Sequence, residues 1–253
     1  MVGGFNNFPV TDIHNSDDIF SIKPGQVYIF FGYKLSFYDF DLPEHQPFKE
    51  VLIEKSIDNA CHKSIYYNYY TYFIKKSRFM LTITYNNQYD EEELDSFILA
   101  NTLKENIKND LYISLSCSRN VYSERKYYDM INYEDSDGLI KTGFGTILRC
   151  ILLKYVKTIG FNDIYNTAIN YNMISYYKRW GFLLNTTKCN VHDEITNKHA
   201  IQNISEEELS HMITDDGYSM KLCGNDSSKL CNYAKTQLQS VWFELEHYTD
   251  IYN

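Results

Sequence analysis

The chain has no surplus of positive charge. Its 24 Lys and Arg residues face 33 Asp and Glu, a formal charge of −9, whereas a general binder of nucleic acid or of an anionic membrane carries a basic excess. No run of 18 uninterrupted apolar residues occurs, so no membrane-spanning helix is expected. Residues Met1 to Asp12 lack a basic stretch followed by an apolar one, and no secretory leader is expected there. None of the six cysteines forms a Cys-x-x-Cys pair, and their wide spacing suits reduced thiols in an intracellular, cytoplasmic compartment. Proline (4) and glycine (11) are few, and no Pro/Gly/Ser-rich linker divides the 253 residues, which points to a single domain over 1–253.

Aromatic residues are what the chain has in excess, with 24 Tyr and 15 Phe. An AT-rich coding sequence produces such a bias, so tyrosine abundance alone says little about function. Hydrophobic residues at 44% and charged residues at 23% are ordinary for a globular protein and exclude a wholly disordered chain.

β-Branched and aromatic runs predict strands over Val27 to Phe31, Phe79 to Tyr85, Ser96 to Thr102 and Leu111 to Cys117, the last three as an antiparallel meander. Pro47 to Lys76 is compatible with helix. The clearest helix runs from Phe144 to Ile159, where Ile147, Leu148, Ile151, Leu152, Tyr155, Val156 and Ile159 form an apolar double stripe and Arg149, Lys154 and Lys157 fall on other faces. Gly160 supplies its stop. A strand from Asp163 to Ile169, a helix from about Asn172 to Trp180, a strand opening at Phe182, a strand from Tyr218 to Cys223 and a partly helical tail over Leu230 to Tyr248 follow. Strands first, then helix, strand, helix, strand, predicts an α/β mixed sheet with helices packed on it.

Ahead of the long helix stands Lys141-Thr142-Gly143-Phe144-Gly145-Thr146. Glycines there let backbone N–H groups approach a ligand, and the helix dipole adds partial positive charge, a combination that suits an anion. Leu148 occupies the place of the third small residue of a Rossmann fingerprint, and no Gly-Lys-Ser/Thr is present, so neither common nucleotide motif is met. Further on, Asn170-Tyr171-Asn172-Met173-Ile174-Ser175-Tyr176-Tyr177 leads to Lys178-Arg179-Trp180-Gly181-Phe182, with the tyrosine seven residues after the asparagine and Gly-Phe four residues after the tyrosine.

These two segments resemble the GNAT family of acetyl-CoA-dependent N-acetyltransferases, whose motif A reads Gln/Arg-x-x-Gly-x-Gly/Ala and whose motif B reads Asn-x-x-Ala-x-x-x-Tyr-x-x-x-Gly-Phe. The resemblance covers about residues 111–182, with Ile140 at the Gln/Arg position, Met173 at the Ala position, residues 118–138 as an insertion and 224–253 as a C-terminal tail. It implies a mostly antiparallel central sheet flanked by helices, acetyl-CoA as co-substrate, and direct transfer of acetyl to an amine in a ternary complex. It assigns cofactor binding to Lys141, Thr142, Gly143, Phe144, Gly145, Thr146 and Asn170, and proton donation to the leaving thiolate to Tyr177. A phenol stays protonated at neutral pH and suits that task. A packing role for Tyr177 is the alternative reading of the same residue.

Charge offers a separate observation. Lys141 through Arg179 hold six basic residues against one acid, Asp163, a local +5 that leaves −14 for the rest. The positive segment suits a phosphate-rich cofactor, and the acidic remainder suits a cationic small-molecule amine or Lys-bearing peptide as acceptor, with no nucleic-acid or membrane partner. General-base candidates are the acids of the run Asp90, Glu91, Glu92, Glu93, Asp95 and those of the insertion, Glu124, Glu134, Asp135 and Asp137. Cys189 and His192, with His199 and His211, lack a second pair at structural-zinc spacing, and no metal site is expected. The competing function is a GNAT-fold module without activity that binds coenzyme A or a protein partner.

Overall fold

The computed structural model describes residues 8–51, 73–86, 89–90, 92–103, 110–118, 143–168, 171–184 and 218–252. Among them the strands are β1 (Val10–Asp12), β2 (Gln26–Phe30), β3 (Tyr33–Asp39), β4 (Phe79–Asn86), β5 (Glu92–Leu103), β6 (Asp110–Ser118), β7 (Ile164–Ala168), β8 (Leu183–Leu184) and β9 (Tyr218–Leu222). The longer helices are α1 (Phe144–Thr158), α2 (Tyr171–Arg179) and α3 (Ser228–Tyr252). Every strand and helix expected from periodicity is present within a few residues. The stretch Pro47 to Lys76 is helical over residues 48–51 and 73–76, and its middle lies outside the described residues. The same is true of 119–138, nearly all of the expected insertion.

The chain divides into two units. One comprises residues 1–99, 115–152 and 231–253; the other comprises 100–114 and 153–230. β5, β6, α1 and α3 contribute residues to both.

In the first unit β1 pairs parallel with β2, and β2–β3 and β3–β4 are antiparallel, with Tyr28 opposite Leu35 and Phe37 opposite Leu81. Sequence reading missed β3. Its hairpin partner is joined by Phe31 and Gly32, both at positive φ (46° and 76°), a mirror-image two-residue turn of the kind usually signalled by Asn-Gly. Phenylalanine in the first position hides that signal, because its side chain makes left-handed backbone unfavourable. Tyr38, Phe40, Met80, Phe97 and Leu99 form one buried cluster. Buried Phe30, Phe144 and Trp242 meet half-buried Tyr33 in a second aromatic group, in which Phe30 stacks on Trp242 at 5.7 Å and Phe144 meets Tyr33 edge-on at 4.9 Å.

The tail is a continuous helix rather than a partial one. Cys231, Ala234, Leu238, Val241, Trp242 and Leu245 recur at three- and four-residue steps and are all buried, so one stripe of α3 faces the interior. Cys150 on α1 and Cys231 on α3 are disulfide-paired, with Cα atoms 5.0 Å apart. This corrects the expectation of uniformly reduced thiols. Cysteines 81 residues apart carry no spacing signature, and only packing of α3 on α1 brings these two together.

In the second unit β6 and β7 are parallel, with Leu111 opposite Ile164, and β9 is antiparallel to both β7 and β8. This gives the mixed sheet predicted from the order of elements. Lys221 Nζ lies 3.2 Å from Asp163 Oδ2, while Asp163 Oδ1 accepts a hydrogen bond from Gly224 N at 2.9 Å. Asn225 is fully buried and donates Nδ2–H to the Leu153 carbonyl at 2.9 Å, tying the turn after β9 to the second half of α1.

Candidate functional site

α1 is the crossover between parallel strands β6 and β7, and its N-terminus follows the strand that feeds it, the place where open α/β sheets bind ligands. Gly143 begins the helix at φ 60°, and its carbonyl accepts from Thr146 N at 3.0 Å and Ile147 N at 3.4 Å. The N–H groups of Phe144 and Gly145 therefore precede the hydrogen-bonded ladder, and they point out of the helix end. The first turn contains no acidic residue, and Gly145 adds no side chain. Such an end fits an anion.

The structure thus brings Gly143, Phe144, Gly145 and Thr146 together as one loop-to-helix junction. Phe144 is buried in the aromatic cluster with Phe30 and Tyr33, which fixes the helix end against the sheet. Lys141, Thr142 and Asn170 lie outside the described residues.

Sequence reading missed a neighbour of this junction. The side-chain amide of Gln237, on α3, sits against Gly143 in the position that a Cβ would occupy. Its Oε1 is buried without a hydrogen-bond partner among the described residues. Gln237 lies 94 residues beyond Gly143 in the chain, so no local pattern announces the contact; the disulfide between Cys150 and Cys231, two helical turns along, shows the same antiparallel run of α3 on α1.

The charge expectation is corrected at Arg149. It is 2% exposed, and its Nη2 donates to Ser116 Oγ on β6 at 2.8 Å. Residues 147 to 153 are buried on every side, because α1 is enclosed between β6 and α3 rather than lying on the surface as a two-sided helix. Lys154 and Lys157 are exposed, as their positions predict.

Tyr177, in the second unit, lies on α2 and is 3% exposed. Its ring packs edge-on against Tyr176 at 5.4 Å and tilted against Phe182 at 5.5 Å, and its carbonyl accepts from Trp180 N and Phe182 N where the helix ends. The Tyr-x-x-x-Gly-Phe spacing therefore has a local physical cause: the turn through Gly181 folds Phe182 back onto the tyrosine.

The acidic run before β5 separates into distinct environments. Glu92 accepts from Lys34 Nζ at 3.0 Å and Thr84 Oγ1 at 2.8 Å, and Asp90 accepts from Asn86 Nδ2 at 2.9 Å. Asp95 is buried on β5 and accepts from Ser96 Oγ at 2.6 Å; burial pushes its carboxyl up to about 6, against the smaller opposing effect of that hydrogen bond. The insertion acids and the Cys189–His192 pair lie outside the described residues.

No protein-family model and no curated protein matches this chain. Its fold is similar to several solved structures. One is the NatC complex bound to Gag peptide and CoA, at 11% identity and a TM-score of 0.39, covering 75% of this chain and 98% of that one. Another is the ribosomal-protein-S18-alanine N-acetyltransferase from Escherichia coli, at 12% identity and a TM-score of 0.38, covering 75% and 93%. A third is Tetrahymena GCN5, at 12% identity and a TM-score of 0.36, covering 72% and 90%. The second is named as an N-acetyltransferase, and the first was solved with CoA and a peptide bound.

Proposed function

We propose that the chain, acting as one catalytic domain, is an acetyl-CoA-dependent N-acetyltransferase that transfers acetyl to an amine by direct attack. The observation that carries this reading is the N-terminus of α1. It stands at a parallel crossover, opens with Gly143 at positive φ, leaves the Phe144 and Gly145 N–H groups outside the helix ladder and has no acid in its first turn. Those groups would receive the pyrophosphate of coenzyme A; the resemblance adds Lys141, Thr142 and Thr146 to the same role and assigns Asn170 to the pantetheine arm. The motif spacing that resembles the GNAT family supports the same assignment.

In the transfer, the amine nitrogen bonds to the thioester carbonyl carbon, the carbon–sulfur bond breaks, and the sulfur leaves as thiolate. Tyr177 gives its phenolic proton to that thiolate, and the proton released by the new amide passes to water or a base. The acidic remainder of the chain favours a cationic acceptor, through steering of its approach. An intracellular location suits a supply of acetyl-CoA.

Thermal shift with acetyl-CoA, coenzyme A and NAD, followed by thiol release across a panel of amines, tests the reading. Stabilisation by the two coenzyme A species and not by NAD, with amine-dependent thiol release, is the expected result. Stabilisation without release by any amine would instead favour a binding module, and no stabilisation at all would remove both.

A further inference from the structure

The disulfide between Cys150 and Cys231 joins the same two helices that bring Gln237 against Gly143, two turns from the head of α1. We propose that this pair is a redox switch for the head of α1: as a disulfide it seats Gln237 on Gly143 and fixes the first turn, and as two thiols it lets that turn move. The proposed function assigns coenzyme A to this helix end, so the effect of the switch on ligand binding rests on that reading, whereas the switch itself does not.

Close packing converts the change at sulfur into movement of a helix. Bonded sulfurs lie about 2.05 Å apart, whereas two thiols keep ordinary contact distance, so reduction demands roughly 1.5 Å more room. Cys150 is fully buried and Cys231 is 8% exposed, and Ile147, Ile151 and Ala234, beside them on the two helices, are buried as well. The extra room therefore comes from parting α3 from α1. Further along α3, Leu238, Val241, Trp242 and Leu245 are buried and Trp242 stacks on Phe30 at 5.7 Å, which anchors that half of the helix. Gln237 lies between Cys231 and this anchor and takes up part of the displacement. Its Oε1 is buried without a hydrogen-bond partner among the described residues. Even a sub-ångström opening admits water to that oxygen, and a buried acceptor without a partner gains from it.

The position of Cys231 favours exchange. It is the more exposed of the pair and stands in the first turn of α3, which holds Lys229 and no acid. A helix N-terminus stabilises a thiolate and so makes such a sulfur a better leaving group. With a dithiol as reductant the step balances. Its first thiolate bonds to Cys231 Sγ as the S–S bond breaks, and Cys150 Sγ leaves as thiolate and takes up a proton. The second thiol then displaces Cys231, which leaves as thiolate and is protonated in turn. Two electrons have passed to the pair, and the reductant ends as a cyclic disulfide.

Amide hydrogen exchange on the full chain, followed by NMR well below Tm, tests this. Thr146 and Ile147 report the head of α1, because their N–H groups bond to the Gly143 carbonyl; Gly160 and Phe161, which bond at its other end, serve as the reference. Dithiothreitol is expected to speed exchange at Thr146 and Ile147 about tenfold or more, with the reference pair unchanged, and oxidised glutathione to restore protection. Cys150→Ala with Cys231→Ala should exchange fast at the head with or without dithiothreitol, which separates this pair from the other cysteines, and Gln237→Ala should do the same with the disulfide intact. Should the double alanine variant fail to fold, the native chain and Gln237→Ala decide alone. Equal protection of Thr146 and Ile147 in the two redox states, an equal rise at Gly160 and Phe161, or a dithiothreitol response that survives in either variant would overturn the switch. Acetyl-CoA is titrated against both forms: several-fold weaker binding to the reduced chain is expected, and equal affinity would overturn the switch. No binding to either form would instead remove the acetyl-CoA reading, with the exchange result still deciding the switch.

Discussion

The Gln237 amide occupies the space in which residue 143 would carry its Cβ, so the glycine at the head of α1 and a glutamine on α3 are fitted to each other. Gly143 is thereby constrained twice, by its φ of 60° and by its neighbour. The two constraints are separable by experiment, because only the second is relieved by shortening the glutamine.

Gly143→Ala is expected to lower stability by about 2–4 kcal/mol, from left-handed strain and from overpacking. In the Gln237→Ala background the same substitution should cost only the strain, about 1 kcal/mol. A double-mutant cycle by urea denaturation measures the difference, and additive effects would mean that the two residues do not touch.

Tyr177→Phe keeps the ring that packs on Tyr176 and Phe182 and removes only the hydroxyl. If Tyr177 donates the proton to the thiolate, kcat should fall by a factor of about 10²–10⁴ while acetyl-CoA affinity changes little. Full turnover in the variant would leave Tyr177 a packing residue.

Asp95, with its carboxyl pushed up to about 6, favours the protonated form in the fold. Its ionisation therefore opposes folding above pH 6, and that cost is relieved as pH falls from 6 towards the ordinary value of 3.8. Asp95→Asn should stabilise the protein by up to about 3 kcal/mol at pH 8 and by almost nothing below pH 4. His45 acts in the opposite direction. Burial lowers its pKa, and its neutral Nδ1 accepts from Asp39 N at 2.9 Å, so its contribution is lost as pH drops below 6.5. Subtracting the two denaturation profiles, native and Asp95→Asn, isolates the aspartate.

The Cys150–Cys231 pair closes an 81-residue loop, and constraint of the unfolded chain by such a loop contributes about 4 kcal/mol. Peptide mapping without reductant should recover the linked pair. Reduction, or Cys150→Ala with Cys231→Ala, should lower Tm by several degrees; an equal Tm with and without reductant would show that the pair adds nothing to the fold.

The sequence discloses those elements whose cause is local. The apolar stripe of α1, the stop at Gly160 and the turn through Gly181 each depend on residues within a few positions of one another, and each is found where expected. Strand β3 was hidden by Phe31, which breaks the residue preference of its turn. Arg149 was misplaced because helical periodicity identifies faces but does not reveal that α3 closes one of them. At the head of α1 the positions of Gly143 and Gly145 are legible in the sequence, whereas the neighbouring Gln237 is not: it arrives through packing of a helix 94 residues away.

α3 also sets an order on assembly. The first unit takes residues from both ends of the described chain, and its helix–helix pair joins residues 143–150 to residues 231–237. A ribosome releases the early strands and α1 long before α3, so the enclosed face of α1, with its run of buried residues from 147 to 153, stays uncovered for as long as the intervening 80 or so residues take to emerge. At about 5–20 residues per second that interval lasts several seconds. During it the nascent chain exposes the hydrophobic surface on which chaperones act, and the head of α1 acquires its final shape only when Gln237 arrives.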